Sequence, residues 1–438
     1  MTLDLKAPPA AFVLGHVRAP ACLVPSFAGT ADAEGLVALD IAVEGARLAR
    51  LAPAGALVEA GPRLDLSGGL VLPGLVDIHT HLDKGFIWKR APNPDGSFDG
   101  AVNAVNADRA AHWNEEDISR RFDFGLRCAY AHGTVAIRTH LDSDGPRAAG
   151  AWRVFAQMRE AWRGRIELQA VGLIAIDRVL DDSAFTPLLD LVRTHGGRLG
   201  AYTYLTPNLE AGLARLFDAA ERFGLGLDLH VDERDREGRG LDLLARMALE
   251  RGFEGPILAG HCCALAVKGE DEIDRTLDRV AQAGIAVVSL PMCNLYLQDR
   301  QPGRTPRWRG VTLLQEMRAR GIPVMVASDN ARDPFYAFGD LDLVEVYREA
   351  ARIAHLDHPH GDGPALITRA PAAHMGVAAG TLAEGADADL SLFPARSLNE
   401  WLARPLAARN VLRAGRAIAT TPPDYAELDD LMERPRDL

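Results

Sequence analysis

From about residue 70 to about residue 375, short apolar runs alternate with longer stretches in which apolar side chains recur every three or four positions. Runs of four to eight apolar residues read as buried strands, and the three-to-four period reads as helix. Strands are expected at 70–78, 134–139, 166–175, 198–204, 225–231, 256–260, 285–290 and 323–327. Helices are expected between them at 117–132, 150–163, 209–223, 241–251, 272–284 and 312–320. Eight such alternations are what an α/β protein of the (β/α)8 TIM-barrel type requires. An open doubly wound sheet is the alternative, but no G-x-G-x-x-G follows an early strand, and Gly224-Leu225-Gly226 reads as turn chemistry.

The flanks have a different texture. Short alternating runs separated by Gly- and Ala-rich turns occupy 10–68 and recur at 387–420. Two terminal β segments around one barrel predict a small composite β-sandwich domain built from both chain ends, 1–69 with 376–425. The barrel is then 70–375. The acidic, Pro-containing segment 426–438 is expected to be a tail, a solvated extension or a subunit contact.

Composition narrows the function. A net charge of −12 argues against a nucleic-acid partner. No apolar run approaches ~20 residues, so no signal peptide or membrane span is expected. Five cysteines in irregular spacing, with no C-x-x-C, speak against a disulfide scaffold or structural zinc site and for a reducing cytoplasm.

The chemistry lies at the ends of the expected strands. The first ends in His79-Thr80-His81. Residues i and i+2 of a strand share a face, so both imidazoles enter one small volume. Others end in His140, in His230-Val231-Asp232-Glu233, in His261-Cys262-Cys263, and in Ser328-Asp329-Asn330. Barrel enzymes carry their catalytic groups at these ends. His79, His81, His230 and Asp329 would form an N3O ligand set suited to one divalent Zn or Fe(II) ion. Glu233 would shuttle a proton from water to a substrate nitrogen. His261 would hold the attacking nucleophile or a developing oxyanion. Asp77 and Asp83 read as structural or ligand-orienting carboxylates, His140 as structural or substrate-adjacent, and Cys262 and Cys263 as packing residues. His355, His358 and His360 read as a hydrated loop. The run Gln298-Asp299-Arg300 either caps a loop or touches substrate. Of the four lysines, Lys6, Lys84, Lys89 and Lys268, none lies in the fourth strand, where a bridging carbamylated lysine would sit, so one metal is favoured over two.

Together these motifs resemble the amidohydrolase superfamily, and within it the bacterial cytosine deaminase branch. The resemblance spans nearly the whole chain. It rests on His79-Thr-His81-Leu-Asp83, Arg138-Thr-His140-Leu-Asp142, His230-Val-Asp-Glu233, Gly260-His261, Asn294-Leu-Tyr-Leu-Gln-Asp-Arg300, Ser328-Asp329-Asn330 and Asp333-Pro-Phe335-Tyr336. It implies a distorted (β/α)8 barrel with a composite β-sandwich, usually in a homo-oligomer. It also implies one Fe(II) or Zn ion on His79, His81, His230 and Asp329, with Glu233 and His261 as catalytic groups beside Asp329. Three positions depart from the branch. Ala175 stands where a glutamine reads the pyrimidine amide edge, Asn330 where an aspartate follows the metal aspartate, and Phe335 at the lid tryptophan. With Gln298, the last two are the expected substrate contacts. The expected activity is hydrolytic deamination of a small aminated N-heterocycle, cytosine or a close analogue, in nucleobase metabolism. Alkylamine removal from an amino-triazine or opening of a cyclic amide is the alternative. A non-catalytic assembly protein would carry broken ligands, and here all of them stand.

Overall fold

Eight parallel strands curl round one axis in sequence order: β1 (Leu75–Thr80), β2 (Thr134–Asp142), β3 (Glu167–Leu173), β4 (Arg198–Leu199), β5 (Leu227–Val231), β6 (Ile257–His261), β7 (Ala286–Ser289) and β8 (Val324–Val326). This architecture comes from a computed structural model that describes residues 4–58, 61–358, 360–404 and 408–433. The ring closes just past β8, where Thr80 pairs with Asp329 and the Asp329 N–H donates to the His79 carbonyl at 2.8 Å. The closing bond therefore joins two residues expected to share a ligand set. β4 is short, and Tyr202 continues its seam by bridging to Ala175 and His230.

The expected helices are present with small shifts at their ends. Leu209–Phe223 buries Leu213, Leu216, Phe217 and Ala220 on one stripe and stops at Gly224, whose φ of 64° suits the left-handed cap. Helices Phe98–His112, Asp182–His195 and Leu343–Ile353 were not read from the sequence. All five cysteines are free.

The flanking domain is one mixed sheet of eight strands drawn from both chain ends. Leu390–Phe393 pairs antiparallel with Leu70–Pro73 and so ties the C-terminal part to the N-terminal part. Its core includes Leu14, Ile41, Leu390 and Leu412. The single strand expected at 70–78 is thus two. Leu70–Pro73 belongs to the flanking sheet, and β1 starts the barrel after Gly74. A Cβ at Gly74 would strike the Val135 side chain, so only glycine lets the chain cross between the sheets at this distance.

The segment read as a tail, either a solvated extension or a subunit contact, packs on the barrel of its own chain as far as Glu433; residues 434–438 lie outside the described residues. Leu428 and Met432 are buried, Arg90 donates to the Leu431 carbonyl at 3.0 Å, and Lys89 pairs with Asp429 at 2.7 Å. Acidic side chains that suggested solvation serve as partners for basic groups on the barrel. No helix among the described residues is long and apolar enough to cross a membrane.

Candidate metal centre

β1, β5 and β8 bring His79, His81, His230 and Asp329 together, with ligand atoms all within 4.8 Å of one another. His230 Nε2 lies 3.2 Å from His79 Nε2 and 3.2 Å from His81 Nε2. Asp329 Oδ1 lies 3.6 Å from His79 Nε2 and 3.3 Å from His81 Nε2. Ligand bonds of about 2.0–2.1 Å to a tetrahedral ion separate the donor atoms by roughly 3.3–3.4 Å, so these spacings fit a zinc-sized ion. The donor chemistry fits too. Burial, reinforced by the crowding of neighbouring imidazoles and by the Lys84 ammonium, holds the three imidazoles well below their ordinary pKa and therefore neutral. Both Asp329 oxygens are buried without a hydrogen-bond donor, an arrangement that a cation would satisfy.

The strand ends are bent to achieve this. His261, Asp232 and Asp329 have φ of 69°, 50° and 62°, in the left-handed region that side chains seldom adopt. Asp77 accepts from the Ser328 N–H at 3.2 Å and so fixes the turn carrying Asp329, whereas Asp83 accepts from the Asp142 N–H at 2.8 Å. A second trio, His79, His140 and Asp228, also lies close together. There Arg138 already neutralises Asp228 at 3.0 Å, and His140 meets the same carboxylate at 3.2 Å, so His140 belongs to a buried ion-pair network.

Glu233 follows β5 and His261 ends β6, with Glu233 Oε2 3.6 Å from His261 Nε2. Asn294 places its amide nitrogen 2.9 Å from His261 Nδ1. An amide nitrogen only donates, so Nδ1 accepts and the ring proton sits on Nε2. Burial pushes the His261 pKa down to about 3, leaving a neutral donor beside Glu233. Burial and the negative Asp329 push Glu233 up to about 8. A divalent cation on the four ligands would act on it in the opposite sense.

These groups open on one cavity of about 200 Å³, room for a small molecule. Asn330 and Phe335 line it, and Asn330 Nδ2 is committed to Asp333 Oδ2 at 2.7 Å. Gln298 is not among the lining residues. Its Nε2 donates to the Glu233 carbonyl at 3.1 Å, so it holds the backbone of Glu233 from behind. Asp299 caps its own loop by accepting from the Trp308 N–H at 3.0 Å. His355 and His358 are exposed and His360 half-buried, and no metal-holding group forms there among the described residues.

Several lining residues were given no role from the sequence: Lys84, Phe98, Arg109, Asp142 and Tyr202. Two had a usable signal: Lys84 is a scarce lysine three residues past His81, and Asp142 closes the motif Arg138-Thr-His140-Leu-Asp142. Phe98 and Arg109 come from the unforeseen helix Phe98–His112, which also lines the cavity with Val102, Val105 and Asn106.

The amidohydrolase family profile matches residues 64–202 and 195–419. A pterin deaminase of Rhizobium rhizogenes is 50% identical over 436 residues, which covers 99% of this chain and 100% of that protein. The solved structure of 5-methylcytosine deaminase from Klebsiella pneumoniae liganded with 5-fluorocytosine superposes with a TM-score of 0.80. It is 23% identical, over 93% of this chain and 97% of that one, a likeness of fold. N-isopropylammelide isopropylaminohydrolase from Burkholderia multivorans superposes with a TM-score of 0.73 at 28% identity, over 93% of this chain and 98% of that one. With a family match across most of its length and a full-length relative at half identity, the chain belongs to the amidohydrolase family.

Proposed function

We propose that this amidohydrolase is a hydrolytic deaminase whose substrate is a fused, aminated N-heterocycle of the pterin class. The observation that carries the reading is the cavity wall beside the ligand set. Ala175 stands there with Leu173, Ile174 and Val105, next to the rings of Tyr202 and Phe335. Apolar side chains and aromatic faces accommodate a second ring. Cytosine, the ring expected from the resemblance, is monocyclic, and a methyl group at Ala175 cannot make the amide contact that would read its edge. The half-identical relative, a pterin deaminase, supports the same substrate class.

The net reaction replaces a ring C–NH2 by C=O, consuming water and releasing ammonia. A divalent ion on His79, His81, His230 and Asp329 would supply Lewis acidity and bring the pKa of water down toward about 7. Glu233 takes a proton from the attacking water and hands it to the ring nitrogen beside the aminated carbon. It then takes the remaining proton from the added hydroxyl and delivers it to the departing amine, so that the C=O bond forms as ammonia leaves. A carboxyl raised by burial exchanges protons in both directions near neutral pH. The Nε2–H of His261 donates to the oxygen on which negative charge develops.

Ammonia release from pterin, cytosine and an amino-triazine, measured alongside metal content, tests the reading. We expect one metal equivalent per chain and the highest kcat/KM on pterin. Faster turnover of cytosine would overturn the fused-ring assignment, and two equivalents of metal would overturn the single-ion ligand set. Glu233→Gln should lose about 10²–10⁴-fold in kcat while binding the same amount of metal. An unchanged rate would remove Glu233 from the proton path.

A further inference from the structure

Lys84 is the only one of the four lysines that is buried, at 5% exposure, and it lines the cavity of the metal centre. It lies three residues beyond His81, on the turn that leaves β1. Its ammonium is 3.2 Å from Asp142 Oδ1 and 5.1 Å from the centroid of the Phe335 ring. The other Asp142 oxygen receives Arg109 Nη2 at 2.5 Å. The Asp142 N–H in turn donates to Asp83 Oδ2, which locks the end of β2 to the turn carrying Lys84. The ammonium is thus fixed relative to the metal ligands.

Arg109 shares the neutralisation of Asp142 with Lys84, so the charge of Asp142 alone does not require a lysine here. An ammonium has three N–H donors, and Asp142 takes one. Donors left unused in a buried place are costly, so their retention where a ligand binds points to an acceptor on that ligand. The residue type also matters. A chain that otherwise uses arginine almost throughout places here a compact point charge, which a planar guanidinium would not reproduce. Burial opposes the charge of Lys84, but the carboxylates of Asp142, Asp83 and Asp333 outweigh it, so the ammonium stays protonated.

We infer that Lys84 selects the ring. Its ammonium donates to the carbonyl oxygen and the neighbouring ring nitrogen that lie side by side on a 2-amino-4-oxo fused bicycle. The same pairing lets lysine read the adjacent oxygen and nitrogen acceptors of guanine. Asp142 and Arg109 are positioning residues that hold the ammonium in place. This inference rests on the pterin reading above and assigns the recognition of the ring's far edge, while Glu233 and His261 act at the aminated carbon.

The test compares pterin with its 5-deaza analogue, in which C–H replaces the nitrogen beside the carbonyl, using metal-loaded protein. Wild type should favour pterin by about 10- to 100-fold in kcat/KM, the range for one lost hydrogen bond to a charged group. Lys84→Met should bring that ratio to within about threefold of one at unchanged metal content. If Lys84→Met does not fold, Lys84→Gln is read by the same ratio. A wild-type ratio near one overturns the inference without any variant, as does a ratio that the substitution leaves unchanged. In both cases pterin is still deaminated and the functional reading stands. A wild type that releases no ammonia from pterin overturns that reading, and this inference with it.

Discussion

Ala175 sits at the end of β3, bridged to Tyr202, where a longer amide side chain would reach into the cavity. Substituting Ala175→Gln fills space that a second ring needs and offers an edge contact to a single one. The variant is expected to lose at least about 10-fold in kcat/KM on pterin and to gain relative activity on cytosine, measured by ammonia release. Parallel losses on both rings would place the effect in folding and remove Ala175 from selection. At this scale the sequence was informative wherever a residue type carries its chemistry alone. His79, His81, His230 and Asp329 converge as their strand-end positions suggested. It was less informative where role depends on a neighbour. Gln298 reads as a substrate contact beside other polar residues, yet it turns its amide to the Glu233 backbone. Tyr202 and Arg109 carry no mark until the cavity is assembled.

Among the elements, β4 is the shortest of the barrel strands, and glycine explains how its neighbours still close up. A Cβ at Gly200 would lie 2.5 Å from Val171 Cγ1 and 2.7 Å from the Asp228 carbonyl oxygen. Gly200→Ala is therefore expected to destabilise the barrel by about 1–3 kcal/mol, seen as a lower Tm, because one neighbour is backbone and cannot rotate away. An unchanged Tm would show that β4 shifts freely. Helix boundaries were legible where apolar spacing was strong, as in Leu209–Phe223. Phe98–His112 escaped notice because its run of Ala, Asn, Asp and Gly has little apolar period, and its start depends on the Ser97 hydroxyl accepting from the Gly100 N–H. That helix nevertheless supplies a wall of the cavity.

For the molecule as a whole, the flanking sheet is anchored by Asp40. This buried carboxylate accepts from the N–H groups of His16, Gly55 and Leu57 and from both terminal nitrogens of Arg63. Burial alone would raise its pKa, but the Arg63 and backbone hydrogen bonds outweigh burial and bring it down from 3.8 to about 2. A carboxyl depressed in the folded state adds stability above its unfolded pKa and loses it as pH falls through the folded value. Asp40 should therefore contribute about 2 kcal/mol at neutral pH, lost between roughly pH 4 and pH 2. Asp40→Asn is expected to lower Tm at pH 7 and to flatten that acid limb in denaturant titrations. Coincident acid limbs for variant and wild type would show that other carboxylates govern acid unfolding.

The sequence by itself determined the barrel class and the pairing of both chain ends into a second β unit, and it nominated the candidate ligands in their order along the chain. These follow from local properties: apolar period, strand parity and the metal affinity of imidazole and carboxylate. Only the tertiary structure decided where β1 begins, that residues 425–433 dock on the barrel, and which side chains share the cavity. Lys84 and Asp142 are 58 residues apart, and nothing along the chain between them records that they meet. Closure of the barrel creates that pair, because it sets neighbouring strand ends side by side whatever their separation in sequence.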